Sequence, residues 1–562
     1  MTPRLRFSGG TVLTGAVVVS VVVALAVPAV VDHRRAREAP HGTGGRRTPG
    51  KHTPTVFRFY QEEPGTLDPA LASDSYSSGV VAQIYSPLVG LTSDLEPTPQ
   101  IAESWTISRD GLRYVFRLRA GVRFHSGREV TAKDFEYSLT RIFREPFRSQ
   151  GLAANYLDAI DGVAEFTKGK AKRIRGIRVL DARSLEIRLN RPYSSLLAAL
   201  ALDQTSVVPR EIAERGKGAL DREPVGTGPF CFVRRNAHQV VLAANPGYFM
   251  GPAAIDTLVF FAPAGDVTAQ GADALLDGHA TLSQLPVDRT MEFRARSGIA
   301  VLKWSDLSLA FIGMNVKVPP LNDARVRRAI ALAMDRTAML NASPEGKSMA
   351  TGILPPGIPG YGPAQKAYMR DVATARALLA QAGYGPRHPL PPLTLWKSSS
   401  SVSGRLADTL MVKSLAEAGI QVTLRYEGWT ALDHAITGRQ AALFALAWVA
   451  DIPDPDTFLR ALFYSTSSTN YFGFRSVRVD SLLDVARNSA DPDARMTAYR
   501  QAEETILRDA PFVPLYHTAS FIGIRDDVLG LEMNPLGIST IQMEKLRFDQ
   551  PDASFDPRSA AR

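Results

Sequence analysis

One cysteine, Cys231, stands in 562 residues. That excludes an intrachain disulfide and any zinc or iron–sulfur site built on several cysteines, and no cysteine near the N-terminus can carry a lipid. The nine histidines are scattered; the nearest pair in the main body is His238 and His279, so no helical zinc-protease spacing occurs. Gly346-Lys347-Ser348 resembles the end of a phosphate loop, but Asn341 occupies the place of the required first glycine. Gly226-Thr227-Gly228 runs into Pro229, opens no dinucleotide turn, and reads as a structural turn. There is no GxSxG elbow, and Cys231 lies between Phe230 and Phe232, the setting of a buried core thiol. No catalytic residue, cofactor or metal site is expected, and enzyme is the weaker class.

Positive charge is in excess, +9 overall, yet little of it belongs to the body. Arg4, Arg6, Arg34, Arg35, Arg37, Arg46, Arg47 and Lys51 against Asp32 and Glu38 place +6 in residues 1–55, which leaves +3 for the other 507. A basic nucleic-acid-binding face is therefore not expected. Residues 11–31, TVLTGAVVVSVVVALAVPAVV, carry no charge. Such a run can span about 30 Å of hydrocarbon as a helix. It also reads as a secretory signal, with cleavage after Ala24-Leu25-Ala26 or Val27-Pro28-Ala29. Either way the body is sent across a membrane. Arg34, Arg35 and Arg37 follow the run, so charge alone leaves its orientation undecided. Residues 33–54, rich in Gly, Pro, Arg and Thr, read as a solvated linker.

The composition, 45% hydrophobic and 22% charged, is that of a globular protein with chain for about three or four domains. Strands and helices are interleaved. Tyr114, Phe116 and Leu118 alternate with Arg113, Val115 and Arg117 after the turn Arg109-Asp110-Gly111, which predicts a hairpin. A second hairpin is predicted over residues 177–189, with Leu185, Ile187 and Leu189 inside and Glu186 and Arg188 outside. Asn322 or Asp323 caps a helix with an apolar stripe of Val326, Ile330, Ala333 and Met334, leaving Arg325, Arg327 and Arg328 outside. Residues 373–382 and 405–418 read as further helices, stopped by Gly383 and Gly419, and 421–426 as a strand. This is a mixed α/β pattern with more than one lobe.

Six stretches, in order, resemble the peptide/nickel-type extracellular solute-binding proteins (family 5) of ABC importers. They are EPGTLDP at 63–69, IAESWTISRDGLRYVFRLRAGVRFHSGREVTAKDFEYSLTRIF at 101–143, PVGTGPFCF at 224–232, FIGMNVKVPPLNDARVRRAIALAMDR at 311–336, AWVADIPDPDTFL at 447–459 and APFVPLYH at 510–517. The resemblance implies a two-lobed periplasmic-binding-protein-like fold (type II) with an additional subdomain and a hinge. Lobe one would be 56–303, including a subdomain at about 89–204, and would resume at 506–550. Lobe two would be 304–505. Residues 1–55 would be signal or anchor and linker, and 551–562 a tail.

The same resemblance implies an extracytoplasmic protein that captures di- or oligopeptides between its lobes and delivers them to permease subunits driven by cytoplasmic ATPases. It would be a monomer, secreted or anchored through residues 11–31. The ligand's α-amino group would pair with Asp451, and Trp448 would lie against the ligand. Ser73, Asp74, Ser75 and Tyr76 would offer backbone groups to an extended peptide, strand to strand. Asp454 and Asp456 would serve their own loop. Two departures concern the ligand: Ala445 replaces an arginine that some relatives use for the peptide carboxylate, and Ala447 a glycine. A nickel chelate, a sugar or another amine remains an alternative ligand. So does a peptide sensor without a permease, and, more remotely, an exported enzyme.

Overall fold

The computed structural model describes residues 54–342, 346–362, 368–398, 402–489 and 491–549, so the apolar run at 11–31 and the tail at 551–562 lie outside the described residues. Gly111, at φ 67°, makes the turn between the antiparallel strands Ala102–Ile107 and Arg113–Leu118. Tyr114, Phe116 and Leu118 face inward as the alternation demands. Ile177–Asp181 and Ser184–Arg188 form the second hairpin and complete a four-stranded sheet. Glu186, expected outside, is buried because Arg113 of the neighbouring strand pairs with its carboxylate.

Asp323 accepts the Arg325 amide at 2.8 Å and caps the helix Ala324–Ala333. Here too one charge is inside against expectation. Arg327 is buried, its guanidinium donating to the carbonyls of Leu321, Asp509 and Ala510 and so tying this helix to a distant chain turn. The helices Val372–Gln381 and Val402–Glu417 end before Gly383 and Gly419, both at positive φ, where a side chain would be strained.

A large mixed sheet organises the rest. Its strands run in the order Val422–Glu427, Leu393–Ser398, Leu443–Val449, Ser308–Met314, Phe512–Arg525, Leu282–Gln284, Val56–Tyr60, Thr257–Phe261, Gln239–Ala244, Phe230–Asn236. The 14-residue strand Phe512–Arg525, about 46 Å long at about 3.3 Å per residue, runs through the middle. Its first part pairs with Ser308–Met314, its second with Ile299–Ser305 and Leu282–Gln284. Between those partners lie only Asp306 and Leu307. Asp306 accepts the Thr518 hydroxyl at 2.8 Å and the Ser520 hydroxyl at 3.0 Å, closing the place where two chain segments cross side by side.

The cores follow this division. One is drawn entirely from residues 88–207. Another joins residues 57–85, 208–282 and 522–546. Two more are built from residues between 307 and 515, with Leu95 the exception that packs into one of them. Two of the recognisable stretches touch: Asp68 of EPGTLDP and Arg141 of the 101–143 segment form a buried bidentate pair, with Arg141 stacked 3.8 Å from the Phe147 ring centroid. Gly226 is explained by close approach, since a Cβ there would stand 2.0 Å from the Ile84 carbonyl oxygen. Cys231 is half-buried, not core, because it sits on Phe230–Asn236 at the sheet's edge.

Candidate functional site

In open α/β sheets, ligands collect beyond the carboxyl ends of parallel strands. Among the described residues there are two sets of parallel strands. Val56–Tyr60 is parallel to Thr257–Phe261 and Leu282–Gln284, and Leu393–Ser398 to Val422–Glu427 and Leu443–Val449. Both sets end in residues singled out from the sequence or their neighbours.

Asp451 follows Leu443–Val449 by two residues, after Ala450, whose amide is held by the Leu307 carbonyl at 2.8 Å. Its side chain is mostly buried, and the Tyr156 hydroxyl donates to Oδ2 at 2.5 Å. Among the described residues no cation pairs with it. Burial pushes the Asp451 carboxyl above its ordinary value, and the Tyr156 hydroxyl only partly offsets this. Tyr156 is itself held well above the usual phenol range, first by burial and then by the Asp451 charge. A carboxylate buried against a neutral donor is a site that gains from an incoming cation.

Trp448 is half-buried against the core that contains Phe311 and Phe444, and its indole N–H donates to the Thr457 carbonyl at 2.7 Å. Asp454 and Asp456 do more than shape their loop. Asp454 Oδ2 accepts from Arg495 at 2.5 Å and from the Ser195 hydroxyl, and Oδ1 accepts the Asp456 amide at 2.9 Å. Asp456 lies 3.3 Å from the Arg487 guanidinium and accepts from the Tyr499 hydroxyl at 3.3 Å. Burial outweighs Arg487 and pushes Asp456 up to about 6.

Ser73, Asp74, Ser75 and Tyr76 are all exposed, but the strand-to-strand expectation is overturned for two of them. Ser75 and Tyr76 open the helix Ser75–Ile84, because Asp74 caps it, accepting the Ser77 amide and hydroxyl at 2.7 Å each. Ser75 and Tyr76, with Gln61, Glu62, Thr268 and Gln284, line a cleft of about 520 Å³, counting the part open to solvent. It lies past the ends of Val56–Tyr60 and Leu282–Gln284. Asp451, Trp448, Ser73 and Asp74 are not among its lining residues.

Tyr156 had no signal in the sequence. It follows the short turn Ala153–Asn155 and meets an aspartate 295 positions later. Among the described residues no group of three His, Cys, Asp or Glu side chains is placed to hold a metal ion, and no helix is long and apolar enough to cross a membrane.

The sequence pattern of the bacterial extracellular solute-binding proteins, family 5, matches residues 96–470. The di/tripeptide-binding protein 2 of Pseudomonas aeruginosa (strain UCBPP-PA14) is 30% identical over 86% of this chain and 93% of its own length. The heme-binding protein A of Haemophilus influenzae is 30% identical over 84% of this chain and 88% of its own. Among solved structures, the ABC transporter-associated periplasmic binding protein DppA of Helicobacter pylori, in complex with the peptide STSA, superposes with a TM-score of 0.73. It is 27% identical and covers 89% of this chain and 99% of that one.

Proposed function

The chain belongs to the bacterial extracellular solute-binding proteins of family 5, and from that membership we propose that its solute is a peptide with a free α-amino group, bound at Asp451. The family is one of binding proteins, and the mixed α/β architecture is the type II periplasmic-binding-protein fold. The observation that carries the peptide reading is Asp451 itself: a mostly buried carboxylate whose one partner among the described residues is a neutral hydroxyl. A peptide ammonium supplies the missing counter-charge, and the Tyr156 hydroxyl oxygen, whose proton goes to Asp451, is a second acceptor beside it. The likeness to a di/tripeptide-binding protein, and to a binding protein solved with a four-residue peptide, supports the same class of ligand.

In this reading the lobes are 56–303 with 506–550, and 304–505, with residues 89–204 elaborating the first. The separate cores and the paired crossing at Asp306 and Thr518 support that division. Closure about the crossing brings Trp448 and the Ser73–Tyr76 corner to the ligand. The protein acts as a monomeric carrier, without catalysis of its own. It is held outside the cytoplasm by residues 11–31 or released after their removal, and delivers its peptide to permease subunits. Mass spectrometry of small molecules released from the natively purified protein tests this. Peptides are expected; a heme, a sugar or a metal chelate with no peptide present would overturn the ligand class.

A further inference from the structure

The loop that carries Asp451 is anchored three and five residues later by buried charge. Pro453 and Pro455, each with a fixed φ, stiffen the interval. Asp454, 5% exposed, is gripped by Arg495 at 2.5 Å and by the Ser195 hydroxyl. Arg495 also lies 3.4 Å from Ser195 Oγ and 3.3 Å from the Tyr499 hydroxyl. Asp456 is set against Arg487, which reaches Asp158 at 3.2 Å and lies 5.3 Å from the Tyr193 ring centroid. Asp158 is held in turn by Arg191 at 2.9 Å. The seam therefore joins residues 156–195 to residues 451–499 through the Ser195–Asp454 hydrogen bond and the half-exposed Asp158–Arg487 pair, with Leu95 packed alongside in the second segment's core.

Asp451 and Tyr156 also face each other across this seam, but their single hydrogen bond is a weak constraint on position. The ion cluster is a strong one. Buried ion pairs add little net stability, yet breaking one leaves an uncompensated charge in a poor medium, so the buried Arg495–Asp454 pair, with both partners in the second segment, holds its own loop firmly. We propose that Arg495 and Ser195 are positioning residues of the amine subsite: by fixing Asp454 they hold the Asp451 loop in the register that presents its carboxylate to Tyr156. This rests on the reading of Asp451 as the amine site.

The experiment measures the dissociation constants of trialanine and N-acetyl-trialanine by calorimetry, for the native protein, Ser195→Ala, Arg495→Met, Tyr156→Phe and the double variant Ser195→Ala/Tyr156→Phe. The informative quantity is the ratio of the two constants, which isolates amine recognition. It should fall about tenfold or more in Ser195→Ala and Arg495→Met, with the acetylated peptide's affinity unchanged, and fall no further in the double variant than in Tyr156→Phe. A variant that weakens both peptides equally, keeping the native ratio, overturns the proposal. Arg495→Met strands Asp454; if that variant does not fold, Ser195→Ala, which leaves the ions paired, decides alone. If the native protein itself does not distinguish the peptides, the amine reading fails, and the register is judged by melting temperatures. Strictly additive shifts for Ser195→Ala and Tyr156→Phe then overturn it, and coupled shifts support it.

Discussion

Asp451→Asn separates a ligand-binding carboxylate from one that serves its loop. The substitution keeps the side chain's shape and leaves an oxygen to accept from Tyr156. In the empty protein the charged carboxylate is disfavoured by burial, as its raised pKa records. Removing the charge should therefore leave the unliganded fold as stable as before, or slightly more stable. Binding should respond in the opposite direction. A peptide ammonium that enters this buried place finds a neutral amide, and breaking a buried pair costs roughly 3–5 kcal/mol. That is a loss of about 10²–10⁴ in affinity. Calorimetry with trialanine and its N-acetyl form, on native and variant protein, gives four combinations. Acetylation of the peptide should cost the native protein about as much as the substitution does. The two changes together should cost less than their sum, since both remove the same contact. An Asp451→Asn protein that unfolds at lower urea yet binds trialanine as tightly as native would refute the reasoning and make Asp451 a loop residue.

Three further outcomes are expected. Affinity for a free-amine peptide should fall about tenfold per pH unit below the raised Asp451 pKa, where the carboxyl becomes neutral, and again above about 8, where the α-amine loses its proton. Calorimetry across pH checks this, and a flat profile contradicts it. Asp456 titrates near 6 in the fold, above its unfolded value, so the stability it contributes is complete below about pH 4 and is lost as pH rises through about 6, at most about 3 kcal/mol. Urea midpoints of Asp456→Asn should lack this part of the native slope. Arg141→Met strands the Asp68 carboxylate, buried with it, and should cost roughly 3–5 kcal/mol in urea unfolding; a change under about 1 kcal/mol would show that the Ala70 amide and solvent suffice.

What was legible in the sequence is what neighbours in the chain decide. The Asp110-Gly111 hairpin, the Asp323-capped helix and the glycine stops at 383 and 419 depend on turn, cap and φ preferences within a few residues. The cap at Asp74 was equally local and could have been read; it turned an expected extended segment into the first turn of a helix. Tertiary structure alone decided the charges. Glu186 and Arg327 occupy positions that a periodic pattern assigns to solvent, and they are buried because Arg113 and the carbonyls near Asp509 lie across from them. Asp451 was singled out as a candidate because the residues around it resemble the family's, but its environment was not legible. A carboxylate's chemistry depends on which distant groups desolvate it and which donate to it, and Tyr156 reaches it only through the fold.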